Sequence, residues 1–207
     1  MPTPELILRS LTGIANDWLW LAVAWHVFFA AVLAAVFSLK PQCRVVGLLL
    51  ALPPVCVSAL AWMNANPFNG STFAALALAL AILAIKLPKE PIARGPAWTT
   101  VAGALMFAFG WAYPHFLEGQ SPVAYLYGAP TGLIPCPTLS AIIGVALILG
   151  GVGGKAWPRV LAATGLFYGV FGTLRLGVTL DWALVAGAAA LLAATFATAS
   201  NEPPARA

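Results

Sequence analysis

Cys136 is the residue of this chain whose surroundings most resemble a reactive site. It stands in the run Ile134-Pro135-Cys136-Pro137-Thr138, which has the pattern of a helix start, because proline suits the first turn and Thr138 can bond free backbone N–H groups. The partial positive charge at a helix amino terminus stabilises a thiolate. Cys136 is therefore a candidate nucleophile, redox group or soft-metal ligand. A small buried residue in a rigid turn is the more ordinary interpretation.

The two histidines, His26 and His115, fall within or at the end of long apolar runs. Hydrocarbon offers an ionisable side chain no partner, so such residues are functional candidates by default. Together with Cys136 and Glu118 they suggest a mixed metal site. The spacing matches no standard metal motif, however, and isolated histidines more often form hydrogen bonds in a packed interior. A bis-histidine haem is favoured even less, and the sequence specifies no cofactor.

Two loops hold the remaining candidates. The loop 63–70 is rich in turn-forming residues, and the loop 114–138 has too many apolar residues for a solvated tether and too many Pro and Gly residues for a helix. Such backbone is expected to pack back onto the bundle, with part of it re-entering the membrane. We therefore predict one binding site made by six residues: Cys136, Thr138, His115, Tyr113, His26 and Asn66.

The other charged and thiol groups indicate no further site. Arg175 and Asp181 flank one short turn, where an ion pair between them would fix the turn more readily than bind an anion. Cys43, Cys56 and Cys136 fall at different depths of the predicted bundle, so no disulfide is expected.

Composition places all these residues in a membrane protein. The 207 residues are 61% hydrophobic and 8% charged, whereas about 25% of the residues of a soluble domain are charged. The net charge of +4 comes from basic residues that stand between apolar runs, not from the basic face that a nucleic-acid-binding protein presents. The expected partner is the lipid bilayer, and nucleic acid is excluded.

The apolar runs predict an all-α, polytopic helical bundle. A membrane-spanning helix needs about 20 apolar residues, or about 17 at the short end. The third and fifth runs are shorter, so they must borrow flanking residues or lie in a thinned bilayer. Six spans are the alternative to the seven that we predict: Trp18–Leu39, Val45–Met63, Thr72–Ile85, Trp98–Tyr113, Leu139–Val152, Trp157–Leu174 and Trp182–Ala197.

The basic residues orient this bundle. Seven spans put eight of the ten Lys and Arg residues on one side and leave only Arg9 and Arg175 on the other. Because basic loops stay in the cytoplasm, we predict an outer amino terminus, a cytoplasmic carboxyl terminus and a bacterial inner-membrane location. The whole chain, 1–207, is one domain, with an outer amphipathic helix in 1–15, the long outer loop in 114–138 and a cytoplasmic tail in 198–207.

Small residues and prolines indicate how the helices pack. Gly165 and Gly169 form a small-xxx-small pair, which suits close packing of helices and could also join two copies of the chain as a homo-oligomer. Pro53 and Pro54 lie in the middle of the second run, where they must kink or break the helix.

The segment 129–138, with the sequence APTGLIPCPT, resembles an uncharacterised bacterial family of multi-pass membrane proteins, a domain of unknown function. Members of that family carry a similar Ala-Pro-Thr-x-x-x-Pro-Cys-Pro-Thr segment before an apolar helix. Asn66-Pro67 and Tyr113-Pro114 fall in comparable places, whereas Gly132-Leu133-Ile134 stands where an aromatic residue is expected. The resemblance implies a fold and a focal segment, and it brings no activity, substrate or cofactor.

These observations favour a membrane protein that binds or transports a small solute or ion at an outer-facing cavity. The first alternative is a membrane enzyme, or a redox or metal-binding protein, that uses Cys136. The second is a structural or accessory subunit of a membrane complex. Few carboxylates are available for acid–base chemistry, so an enzyme is less favoured than a binding protein.

Overall fold

The chain folds into helices joined by turns in the computed structural model, which describes residues 3–197. The predicted tail, 198–207, lies outside the described residues. Within them the all-α class is confirmed, and Gln42 and Pro91 form one isolated antiparallel bridge. The helices are α1 (Pro4–Asp17), α2 (Leu19–Ser38), α3 (Cys43–Leu50), α4 (Leu52–Met63), α5 (Pro67–Ile85), α6 (Ala97–Trp111), α7 (Tyr125–Gly128), α8 (Pro135–Ile148), α9 (Ala156–Leu176) and α10 (Trp182–Ala197).

Four helical segments are long and apolar enough to cross a membrane. They are α2, the α3–α4 pair, α5, and α10 with the 3-10 turn before it, Thr179–Asp181. Helices α6 and α8 are apolar but shorter, with 15 and 14 residues. The prediction of a helical protein is thus confirmed, and four segments are candidates for membrane spans, while the count of seven spans and their orientation stay predictions.

Prolines and glycines set the helix boundaries. The second run is interrupted at Ala51, between α3 and α4, because Pro53 and Pro54 lack the N–H groups that would continue the helix. This interruption confirms the predicted break. Helix α5 begins at Pro67, five residues before the predicted start of the third run.

The predicted bounds of the fifth run, Leu139–Val152, were wrong at both ends. Helix α8 begins four residues earlier, at Pro135, and ends four residues earlier, at Ile148. Gly150 and Gly151 follow with φ angles of 61° and 97°, a left-handed backbone that glycine adopts without strain and that ends a helix.

Helix α8 is surrounded by protein. Of its 14 residues only Cys136 is not fully buried, and α6, α9 and α10 pack around it. Glycines allow the backbones of α6 and α8 to approach closely: a Cβ atom at Gly103 would lie 2.6 Å from the Gly144 carbonyl oxygen, and one at Gly110 would lie 2.8 Å from the Pro137 carbonyl oxygen. Close approach through small residues is a common way of packing helices in membranes.

The glycine pair on α9 packs against other helices of the same chain. A Cβ atom at Gly165 would lie 2.6 Å from Ile143 of α8, and one at Gly169 would lie 2.7 Å from Val185 of α10. Both glycines are buried. A homo-oligomer would therefore have to form through another face of the protein.

Helix α1 lies against the rest of the bundle through one side. Thr3 caps the helix by accepting a hydrogen bond from the N–H of Leu6 at 3.4 Å, and Leu11 and Ile14 are buried. Asn16 ties the helix to the long loop, since its Nδ2 donates to the Phe116 carbonyl oxygen at 2.8 Å and its Oδ1 accepts from the Glu118 N–H at 3.0 Å.

Candidate functional site

A buried carboxyl group joins two of the predicted site residues. The Tyr113 hydroxyl donates to Oδ1 of Asp181 at 2.7 Å, and the Cys136 thiol donates to Oδ2 of the same carboxyl group at 3.1 Å. Asp181 is 1% exposed, and Tyr113 is completely buried. We call these three residues the Asp181 centre.

Four helices meet at the Asp181 centre. Tyr113 follows α6 by two residues, Cys136 lies in the first turn of α8, and Asp181 ends the 3-10 turn before α10. Gly172 of α9 provides the space, because a methyl group on its Cα would overlap the Oδ2 atom of Asp181. Asp181 directly precedes α10, and the partial positive charge at the amino terminus of that helix favours a carboxylate there.

The carboxyl group of Asp181 is held by a phenol and a thiol instead of by the expected Arg175. The side chain of Arg175 is exposed and interacts electrostatically with Glu5 of α1. The Asp181 carboxyl group thus has its hydrogen-bonding needs met by a hydroxyl and a thiol at a buried position.

Two threonines fix the turn that leads into α8. The Thr131 hydroxyl donates to the Gly110 carbonyl oxygen of α6. The Gly132 N–H donates to Oγ1 of Thr138 at 2.8 Å, and the Thr138 hydroxyl donates to the Ile134 carbonyl oxygen at 2.6 Å. Thr138, a predicted site residue, therefore positions the turn before Cys136 and is fully occupied in doing so.

Gly132 is required by this turn on two grounds. Its φ angle is +85°, a region that strains other residues. A side chain there would also collide with the indole of Trp25 on α2. The missing aromatic residue of the resemblance thus falls next to a place where Trp25 already fills the space.

The first turn of α8 is a poor binding site for an anion. Pro135 and Pro137 have no N–H group, so the proline pair removes donors that a helix amino terminus normally offers. A thiolate at Cys136 would also be repelled by a carboxylate 3.1 Å away. The geometry suits a protonated thiol that donates a hydrogen bond, not the thiolate expected from the helix start alone.

His26 connects α2 to the end of α6, away from the Asp181 centre. Its Nδ1 lies 2.8 Å from the Ala22 carbonyl oxygen, and its Nε2 lies 2.8 Å from the Trp111 carbonyl oxygen. The ring also packs edge-on against the indole of Trp111, with 4.6 Å between the centroids. Since a neutral imidazole can donate from only one nitrogen, the tautomer decides which of the two carbonyl oxygens receives the hydrogen bond.

His115 packs beside the Asp181 centre without a hydrogen bond to it. Its ring centroid lies 4.2 Å from that of Phe116 and 6.5 Å from that of Tyr113. Burial lowers the pKa of the imidazole, because desolvation disfavours the charged form. His115 is therefore neutral at neutral pH.

Asn66 acts as a helix cap. Its side-chain oxygen accepts from the Asn69 N–H at 3.1 Å at the start of α5. One turn into α5, Oδ1 of Asn69 accepts from the Tyr168 hydroxyl of α9 at 3.0 Å. Tyr168 also interacts electrostatically with Cys136, so a second buried polar pair, Asn69 and Tyr168, lies near the Asp181 centre.

Sequence reasoning missed Asp181, Asn69 and Tyr168 as members of this region. Asp181 was assigned to Arg175 because both lie in one turn, whereas its actual partners are 45 and 68 positions away in the chain. The sequence did contain an indication of this region. Gly169 and Gly172 leave space on α9 next to Tyr168, and a polar side chain buried in that space needs a hydrogen-bond partner.

The described residues contain no group of three or more His, Cys, Asp or Glu side chains placed to hold a metal ion. The mixed site expected from His26, His115, Cys136 and Glu118 is therefore not formed. The cysteines Cys43, Cys56 and Cys136 are free.

None of the six predicted residues lines any of three cavities in the described part of the chain. One cavity, of about 450 Å³, lies between α1 and the long loop and is lined by Arg9, Thr12, Gly13, Asn16, Asp17 and Glu118. An apolar groove of about 470 Å³ runs between the α3–α4 pair and α5, and a third cavity, of about 350 Å³, lies at the end of α2.

No protein-family model, curated protein or solved structure matches this chain. The resemblance of the segment 129–138 therefore stays a prediction.

Proposed function

We propose that this is an integral membrane protein that binds and transports a small solute or ion, and that its ligand is a monovalent cation or a protonated amine held at the Asp181 centre. The observation that carries the proposal is the carboxyl group of Asp181, which is buried among helices and, within residues 3–197, accepts its hydrogen bonds from a phenol and a thiol. Ionisable residues inside membrane bundles mark ion pathways and proton relays.

The chemistry of the centre suits a small cation. A phenol and a thiol that donate hydrogen bonds can turn their lone pairs to a cation instead, and the carboxyl group neutralises its charge. An isolated buried carboxylate is energetically costly. A cation that binds at the centre would give the Asp181 carboxylate a full opposite charge in place of the hydrogen bonds from the hydroxyl and the thiol. The ligand set has one sulfur and three oxygens, all from Cys136, Tyr113 and Asp181.

The proposed topology has seven spans and an outer amino terminus, and it would put this centre near the outer surface of a bacterial inner membrane. The eight-to-two division of the basic residues supports this orientation. Helix α8, at 14 residues, is about 21 Å long, shorter than the ~30 Å hydrocarbon core. The buried turn 129–134 would complete this span as a re-entrant segment. In this topology the cavity beside α1 opens on the same outer side as the centre.

The test measures charge movement in reconstituted protein. The full chain in proteoliposomes on a solid-supported membrane is exposed to concentration jumps of Na⁺, K⁺, H⁺ and methylammonium. At least one jump should produce a transient current, and Asp181→Asn should abolish it. Glu90→Gln, which removes an exposed carboxylate far along the chain from the centre, is the matched control and should keep the current.

Two results would contradict the proposal. If the Asp181→Asn variant kept the wild-type current, the carboxyl group would not be needed for cation binding. Silence of the wild-type protein toward all four cations would exclude the proposed class of ligand.

A thiol enzyme is the second candidate, because the carboxyl group 3.1 Å from the Cys136 sulfur could act as its base. Cys136→Ser separates the two proposals. Serine keeps a hydrogen-bond donor for Asp181, so cation currents should persist at a reduced level. An enzyme that uses the thiol as nucleophile should lose nearly all of its activity.

A further inference from the structure

The cavity at the end of α2 combines an apolar wall with two cations. It has a volume of about 350 Å³ and is lined by Val36, Phe37, Lys40, Ile92, Ala93 and Arg94. No acidic side chain is among these residues. We call it the basic pocket, and it lies at the opposite end of α2 from the amino-terminal residues next to α1.

Two loops form the basic pocket, and backbone hydrogen bonds hold them together. The N–H of Ile92 donates to the Pro41 carbonyl oxygen at 2.8 Å, and the N–H of Cys43 donates to the Glu90 carbonyl oxygen at 3.0 Å. These bonds fix the stretch after α2 against the stretch before α6. The backbones at Lys40 and Arg94, which belong to different loops, are therefore held close to each other.

The backbone at Lys40 is strained. Its φ angle is +47°, which is unusual for a residue other than glycine, asparagine or aspartate. Strained positions cost free energy, and they concentrate where a ligand is bound. Ala65, Phe116 and Val152 also have positive φ angles, so the strain at Lys40 marks a tight turn after α2, and the case for a ligand here rests on the charge and shape of the pocket.

Arg94 is positioned by an aromatic ring. Its guanidinium carbon lies 4.6 Å from the centroid of the Phe37 ring, a cation–π contact that orients the planar group. The N–H edge of a guanidinium held in this way suits two oxygens of one phosphate group.

The apolar side of the basic pocket favours a lipid over a free anion as its ligand. Helix α2 is one of the four segments able to cross a membrane, and its last turn ends at Ser38, so the pocket falls at the depth of the lipid headgroups. Phe37 and Leu39 are 43% and 77% exposed there. A phosphate between Lys40 and Arg94 would leave attached acyl chains next to this exposed surface.

We infer that the basic pocket binds the phosphodiester of an anionic phospholipid. Lys40 supplies a point charge and Arg94 a planar fork to the phosphate oxygens, while Phe37 and Ile92 contact the apolar part of the lipid. Basic pockets at the ends of membrane helices bind anionic headgroups by this chemistry. Each basic residue should raise affinity about fivefold, and the two together about 25-fold.

The experiment titrates the detergent-purified full chain with phosphatidylglycerol, phosphatidylcholine or inorganic phosphate and counts bound molecules by native mass spectrometry. Phosphatidylglycerol should bind at least fivefold more tightly than phosphatidylcholine, and inorganic phosphate should neither bind nor compete. The double variant Lys40→Asn/Arg94→Gln should remove the preference. Asparagine is chosen because it tolerates the left-handed backbone of Lys40, so the charge is removed without new strain.

The matched control is Lys86→Gln/Lys89→Gln, which removes two exposed charges from the same loop as Arg94 but outside the lining of the pocket. It should keep most of the preference for phosphatidylglycerol. An equal loss in both double variants would reduce the effect to diffuse surface attraction and overturn the inference. Inorganic phosphate that competes with the lipid would overturn the assignment to a lipid. Arg94→Lys keeps the charge and loses the fork, and its affinity should lie between those of the wild type and the double variant.

Discussion

Helices α2 and α8 are both strongly apolar in sequence, yet they occupy opposite environments. Helix α2 has 20 residues and buries only 28% of its most apolar window. Helix α8 has 14 residues, and all of them except Cys136 are fully buried. Apolar composition therefore does not tell whether the surface of a helix is covered by the rest of the protein or faces outward.

What distinguishes the two helices is the pattern of small residues around them. Gly103 and Gly110 of α6 and Gly144 of α8 bring two backbones into contact, and a turn closed by Thr131 and Thr138 continues the buried path before α8. Helix α2 contains no glycine. Glycines thus let neighbouring helices pack closely around α8, whereas α2 has no glycine and its large side chains face outward.

Truncation of a large side chain should separate the two helices most strongly. Ile142→Ala in α8 leaves a cavity at a completely buried position and should lower the free energy of unfolding by about 2–5 kcal/mol. Val27→Ala in α2, at a position 64% exposed, should change it by less than about 0.5 kcal/mol, because lipid or detergent fills the space. Thermal unfolding in one detergent measures both, and equal losses would mean that α2 is not exposed to lipid.

Addition of a methyl group tests the same contrast from the other side. A Cβ atom at Gly144 would overlap the backbone of Phe107 in α6, so Gly144→Ala should cost about 1–3 kcal/mol or more. Gly13→Ala in α1 meets nothing within 4 Å and should stabilise the protein by about 0.5–1 kcal/mol. Stability is again measured by thermal unfolding. Loss of stability in Gly13→Ala would indicate that α1 is covered by a partner.

The sequence predicted the helices well because apolar runs and prolines act locally. The break at Ala51 and the start of α5 at Pro67 follow from single residues that lack an N–H group. The burial of α8 could not be predicted in this way. It depends on which face of α6 meets which face of α8, and glycine spacing within one helix does not identify its partner.

The candidate site was predicted in part. Cys136 and Tyr113 were selected for their own chemistry, and they do converge, but on Asp181, which was assigned to Arg175. Local pairing is the natural assumption for two charges in one turn. It fails because three helices bring a phenol and a thiol to the carboxyl group, and such distant contacts leave no periodic pattern in one sequence.

Removal of one hydroxyl group tests whether the Asp181 centre stabilises the buried region. Tyr113→Phe leaves Oδ1 of Asp181 without its donor at 2.7 Å and should lower the free energy of unfolding by about 1–3 kcal/mol, the cost of an unsatisfied buried acceptor. Tyr127→Phe removes the hydroxyl of a side chain that is 49% exposed and is the matched control, with almost no change expected. If chemical denaturation gave similar free energies of unfolding for both variants, the hydrogen bond from Tyr113 to Asp181 would not contribute to stability.

The smallest effect is expected from the turn that precedes α8. Thr138→Val keeps the shape of the side chain but removes the acceptor of the Gly132 N–H and the donor to Ile134, so it should cost about 1 kcal/mol. Thr138→Ser keeps the hydroxyl and should lie close to the wild type. On α2, Ser38 bonds only to the Ala34 carbonyl oxygen of its own helix at an exposed end, so Ser38→Ala should leave thermal unfolding unchanged. If Thr138→Val unfolded like Ser38→Ala, the turn would gain its rigidity from the packing of Trp25 against Gly132, and the two threonines would be replaceable.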